Sequence, residues 1–370
     1  MTNPPGRSLS SRLRRVATAL VAVALLILPL GQSTASPSPV TFASASAGAA
    51  VQRVPAACAR NGNYVWSHLV ACGWPGPGNT GPRLTRCAHD RLVKRGTTPT
   101  AVIHVRRAGA VIACQDITGC LSIEAPNVTV RDVRVTCTSG RTGEAANGSG
   151  AIKVQTGASA AIQRVRVDGM RGVHSCVWHM GTRLSVTRLN CLRVNDGIFS
   201  WGTSGDPSSA GNHFTIAESY FHGFTTRTAN GHVDGYQTEG ASYGRIHHNT
   251  YLMTSDSGND SNSAIAIWNG NKSSHDITVS NNLISGGGFA VYAEDYSPSE
   301  ANPAGGYSVT NVRFTGNVFS KHLYGCVGFW GVWYPRGRPS DGWRRSGNTV
   351  LETAANIDHR NPSSNGHVCS

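Results

Sequence analysis

The chain has 370 residues, 39% of them hydrophobic and 14% charged, with a formal charge of +13. Length and composition mark one large domain and no second folded unit. For an exported chain, the basic excess sets aside nucleic acid in favour of acidic polysaccharides, the commoner polyanions outside a cell.

Residues 1–35 read as a signal peptide. Arg7, Arg12, Arg14 and Arg15 precede an apolar run from Val16 to Leu30, and Ser33-Thr34-Ala35 offers a cleavage site of small residues. Its removal takes the four arginines with it and leaves a formal charge of +9. The Ser/Ala/Pro-rich stretch 36–50 reads as a flexible leader, and no later stretch is long and apolar enough to span a bilayer. The protein is therefore expected to be secreted, monomeric and free of the membrane.

Residues 51–113 are assigned to an N-terminal cap region and first strands. Ten cysteines between Cys58 and Cys369 lack zinc-type spacing, so in an exported chain they read as disulfides.

From residue 114 onward one phrase repeats. GAIKV (150–154), SCVWH (175–179), DGIFS (196–200), DGYQT (234–238), SAIAI (263–267) and FAVYA (289–293) each read as a short strand. Each has a partner after a turn, as in AIQRVRV (161–167), FTIAESYF (214–221), RIHHNTY (245–251) and ITVSNNLI (277–284). Offsets of 25, 21, 38, 29 and 26 residues between successive first strands are those of a solenoid. The fold expected is all-β, a parallel β-helix over 114–370 with an N-terminal cap, a C-terminal cap and disulfides. Period-two alternation sends Ile152, Val177, Ile198, Tyr236, Ile265 and Val291 inward. In the partner strands Ser219, Asn249, Asn282 and Asn317 recur at one corner, where stacked amides satisfy one another.

Alternation also names two outward columns. One holds Lys153, Trp178, Phe199, Gln237, Ala266 and Tyr292; the other holds Gln155, Met180, Trp201, Glu239, Trp268 and Glu294. Soluble sheets seldom turn so much aromatic surface to water, so the stripe reads either as a sugar-binding groove or as surface covered by another segment. Trp178, Phe199, Trp201, Gln237, Trp268, Tyr292 and Glu294 are the candidate binding residues.

The densest polar cluster is GHVDGYQTEG (231–240), with His232, Asp234, Gln237 and Glu239. Asp196 occupies the place of Asp234 one coil earlier, a rung spacing of about 4.8 Å away. Two carboxyls so close divide into an acid and a base, although Asp-Gly is equally a turn signal. The segment Asp256–Asp260 is rich in oxygen atoms without the ligand pattern of a calcium loop. No metal site is assigned, and Ca2+ is the one cofactor left open.

The pairs DGIFS with FTIAESYF, DGYQT with RIHHNTY and SAIAI with ITVSNNLI resemble the right-handed parallel β-helix proteins of the pectate lyase-like superfamily. ACGWPGPGNTGP (71–82), followed by the HVDGYQ stretch, is similar to secreted actinobacterial β-helix proteins. The resemblance implies polymer bound along the outer face of a parallel sheet, and its members include lyases, hydrolases, epimerases and tailspikes. The function expected first is a polysaccharide lyase acting on a uronate-containing polymer by β-elimination. In it Lys153, a nearby arginine or a bound cation neutralises the uronate, His232 serves as base or acid, and Asp234 orients it. The alternatives are a glycoside hydrolase using Asp196 and Asp234 with Glu239, and a protein that binds polysaccharide without turnover.

Overall fold

The computed structural model of the protein describes residues 54–140, 149–202, 212–225, 232–254, 262–293, 307–334 and 343–358. The signal peptide, the leader, the Asp256–Asp260 segment, Glu294 and Cys369 lie outside these residues. Within them, strands pair in parallel, rung upon rung. A nine-stranded sheet takes Val102–Val105, Cys120–Ile123, Gly150–Val154, Ser175–His179, Asp196–Ser200, Asp234–Glu239, Ser263–Trp268, Phe289–Ala293 and Gly331–Trp333 in order. In the chain these alternate with segments of a seventeen-stranded sheet that forms the remainder of the coil. The molecule is a parallel β-helix.

The inward column is in register, with Ile152 against Val177, Val177 against Ile198, Ile198 against Tyr236, Tyr236 against Ile265 and Ile265 against Val291. Each of the six is at most 1% exposed. Burying an aliphatic side chain this completely stabilises by about 1.5–3 kcal/mol, so the stacked column is a main source of cohesion between rungs.

The partner segments are bent where the sequence suggested one continuous strand. Arg183–Thr187 and Asn190–Leu192, or Gly244–His247 and Thr250–Met253, are separate strands joined by a sharp corner. The corner is made by one left-handed residue per rung: Arg164, Arg188, Glu218, His248, Asn281, Gly316 and Gly347, with φ from 50° to 69°. Directly after it stands the ladder. The Asn249 backbone N–H donates to Asn282 Oδ1 (2.9 Å), that of Asn282 to Asn317 Oδ1 (3.1 Å) and that of Asn317 to Asn348 Oδ1 (3.0 Å). Each Nδ2 also donates to a carbonyl of the preceding rung, as Asn282 does to Ile246 (3.1 Å). Asp358 ends the ladder by accepting from the Asn348 backbone N–H (3.0 Å), while Trp333 Nε1 donates to Ile357 O (3.1 Å).

The N-terminal cap region takes the form of a strap laid lengthwise on the outside of the larger sheet. It begins at the last rungs, where Trp66 Nε1 donates to Ser320 Oγ (2.9 Å) and the indole stacks on His322. Val65, Leu69 and Cys72 pack with Tyr220 and Leu283. Further along, Trp74 stacks on His248, Asn190 Nδ2 donates to Thr80 Oγ1 (3.2 Å), and the Arg83 N–H donates to Asp132 (3.1 Å). The Cys87–Cys114 disulfide fastens it beside the first rungs. Cys58–Cys72, Cys120–Cys137 and Cys176–Cys191 are also bridged, and Cys326 is disulfide-bonded. Such a set of bridges belongs to an oxidising environment. No helix among the described residues is long and apolar enough to cross a membrane.

Candidate functional site on the nine-stranded sheet

The first outward column is continuous in register: Lys153 against Trp178, Trp178 against Phe199, Phe199 against Gln237, Gln237 against Ala266 and Ala266 against Tyr292. In the second, Glu239 is paired with Trp268, and the Trp201 N–H donates to His179 O on the rung before. The stripe is far less open than its composition suggested. Trp201 is 38% exposed, whereas Trp178 is 9%, Tyr292 8%, and Phe199 and Trp268 4%. Rung spacing supplies part of the reason, because rings one rung apart cover each other's faces. Trp178 and Phe199, one rung apart, lie 4.4 Å apart between centroids; Phe199 and Trp201, two residues apart in one rung, stack at 5.7 Å, and Trp268 and Tyr292 meet edge to face at 6.1 Å.

Asp196 and Asp234 begin their strands and are both fully buried. Asp196 Oδ1 accepts from the Asp234 backbone N–H (3.0 Å) and from Asn195 Nδ2 (2.9 Å). His174 Nε2 lies 3.4 Å from Asp196 Oδ2. Asp234 Oδ1 accepts from Asn262 Nδ2 (3.0 Å) and Ser263 Oγ (2.5 Å). The two carboxyls thus hold successive corners together, and neither reaches the surface where a glycosidic bond would lie. Burial pushes the Asp234 pKa up to about 6, against the pull of nearby His232 and the hydroxyl of Ser263.

Glu239 is different. It stands on the outward column between Trp201 and Trp268, in a place only partly open to solvent. Loss of water pushes its pKa up to about 7, and the negative Asp234 nearby adds to the rise. Gln237 Nε2 (3.1 Å) and the Gly270 N–H (2.9 Å) donate to its two oxygens and limit the shift. His232 is exposed, and its ring meets the edge of Trp268 at 5.7 Å. The strand Asp234–Glu239 therefore presents an acid with its pKa near neutrality and an amide, and the solvent-facing imidazole that precedes the strand meets the Trp268 indole.

Lys153 is not in this group. By register it lies three rungs before Gln237, about 14 Å at the usual strand spacing. Tyr292 lies two rungs beyond Gln237 on the other side. Asn195, Asn262 and Ser263 were not singled out in the sequence, although each stands beside a strand-opening position of its coil. No cluster of three or more His, Cys, Asp or Glu among the described residues is placed to hold a metal ion. Neither the protein-family models nor the curated proteins yield a match for this chain.

Proposed function

We propose that the protein is a secreted, monomeric polysaccharide lyase of the pectate lyase-like kind that acts on a uronate-containing polymer. The observation that carries this is Glu239, an acid with its pKa near 7 set between two tryptophans on the outer face of the sheet. β-Elimination needs the uronate carboxylate relieved of its charge, so that the C5 proton can leave. A protonated Glu239 and the Gln237 amide are suited to bind that carboxylate by hydrogen bonds, the role first expected of Lys153. His232 takes the C5 proton, the C4–O bond breaks as the C4–C5 double bond forms, and the departing oxygen picks up a proton.

Hydrolysis asks for two carboxyls that both reach the bond. With Asp196 and Asp234 buried, Glu239 is the one of the three carboxyls expected for hydrolysis that stands on the outward column, which favours the elimination reading. The test is incubation of the purified protein with a panel of uronate polysaccharides. Ultraviolet absorbance from unsaturated ends is expected, and its loss in His232→Ala. Reducing ends without unsaturation would favour hydrolysis, polymer retained without product would favour a binding protein, and neither product nor retention would overturn the proposal.

A further inference from the structure

The first three rungs of the same sheet carry a second polar site, well away from Glu239. A cleft of about 380 Å3 is lined by Thr100, His104, Ser122, Glu124, Lys153 and Gln155, among others. Its floor is built one residue per rung, with His104 against Ser122 and Ser122 against Lys153. The Glu124 carboxylate accepts from the His104 ring, from Arg106 Nε (2.9 Å) and from Ser122 Oγ (2.9 Å). These bonds hold it ionised, well below the usual carboxylate range. Gln155 Nε2 donates in turn to Ser122 Oγ (3.0 Å). The acid is fixed and its charge matched by Arg106, while Lys153 lines the same cleft two rungs beyond His104.

Lys153 also connects this cleft to the rest of the face. Its Nζ lies 5.7 Å from the centre of the Trp178 ring, which begins the run Trp178–Phe199–Trp201. Burial lowers the Lys153 pKa, and an anionic group entering the cleft would offset that loss of hydration. Cation, fixed hydrogen-bond acceptors and an adjoining aromatic face are the elements that recognise a charged sugar ring.

We propose that the cleft is a remote subsite for a carboxylate-bearing sugar unit. Lys153 takes the carboxylate, and Glu124 and Gln155 take ring hydroxyls. The proposal rests on Glu239 marking the point of cleavage. A pyranose unit is close to one rung spacing in length, so a run of about three units joins the cleft to Glu239. Polymer would thus lie along the helix axis, and the enzyme would cut at a set distance from an anchored acidic unit.

The test measures affinities of uronate oligomers of increasing length for the full chain carrying His232→Ala, with and without Lys153→Gln. Affinity should rise at least tenfold at the length that first spans both sites. Lys153→Gln should abolish that step without changing the affinity of shorter oligomers or the melting temperature, and Lys153→Arg should restore most of it. Oligomers with reduced carboxyls should show no step. A length series without a step, or a step indifferent to Lys153→Gln, overturns the subsite. If the wild-type protein cleaves uronate polymer while the step is absent, the subsite alone fails. If the step is present and no polymer is cut, the lyase assignment alone fails.

Discussion

Glu239 carries a pH dependence of definite sign. Its proton is held to about pH 7 by the folded protein, against 4.5 for an ordinary glutamate, so folding takes up a proton in between. The stabilising contribution is fully present below pH 4.5 and is lost as pH rises through 7. Glu239→Gln should therefore be more stable than wild type at pH 8, by on the order of 1–3 kcal/mol in denaturant titrations. In kinetics, wild-type kcat/KM should fall on the alkaline side with an apparent pKa near 7, as an ionised Glu239 repels the substrate carboxylate. Glu239→Gln keeps a neutral donor and should flatten that limb, whereas Glu239→Ala should lower kcat/KM by about a hundredfold or more. An alkaline limb unchanged in Glu239→Gln would remove this role. Glu239 was legible because alternation from Tyr236 turns Gln237 and Glu239 outward. The same parity sends Asp234 inward with Tyr236, and Asp196 with Ile198, but the catalytic appeal of paired carboxyls obscured that in the sequence. Asn262 and Ser263, the partners of Asp234, come from the next coil, and only the register between coils identifies them.

At the scale of elements, the Asn ladder joins the corners of successive rungs. Asn282 accepts from the Asn249 backbone and side chain and donates to Ile246 O and Asn317 Oδ1, all without access to water. Asn282→Ala leaves several buried groups unpaired, each at a cost of about 1–3 kcal/mol, so a loss of about 3 kcal/mol or more is expected in chemical unfolding. A loss below 1 kcal/mol would mean that water replaces the amide. The inner members of the ladder were readable, because Asn recurs three places after a central apolar residue in coil after coil. Asn348 was not, since its rung is reduced to Arg344–Ser346 and Thr349–Val350 and offers no long apolar triplet. The first strands, expected within residues 51–113, could not be bounded there for a related reason. Val93–Arg95 is three exposed residues, held in place by pairing with Gln115–Thr118 and not by a buried face of its own.

For the whole molecule, the strap is the part that sequence patterns did not reveal. Trp66 and Ser320 are 254 residues apart, and no local period reports a contact at that distance. Because the strap crosses many rungs, it docks only after they have stacked. Trp66→Ala should accordingly speed unfolding by about tenfold or more and leave the folding rate nearly unchanged in stopped-flow experiments. Slower folding with unchanged unfolding would show that the strap instead forms early. The strap also ties survival to completeness. Its seat near Ser320 exists only in a molecule whose final coils are finished, so a chain ended before Ser320 keeps Trp66 bare. Extracellular proteases attack such loose apolar ends first, and the first residues of the folded domain thereby act as a tally of whether the last ones were made.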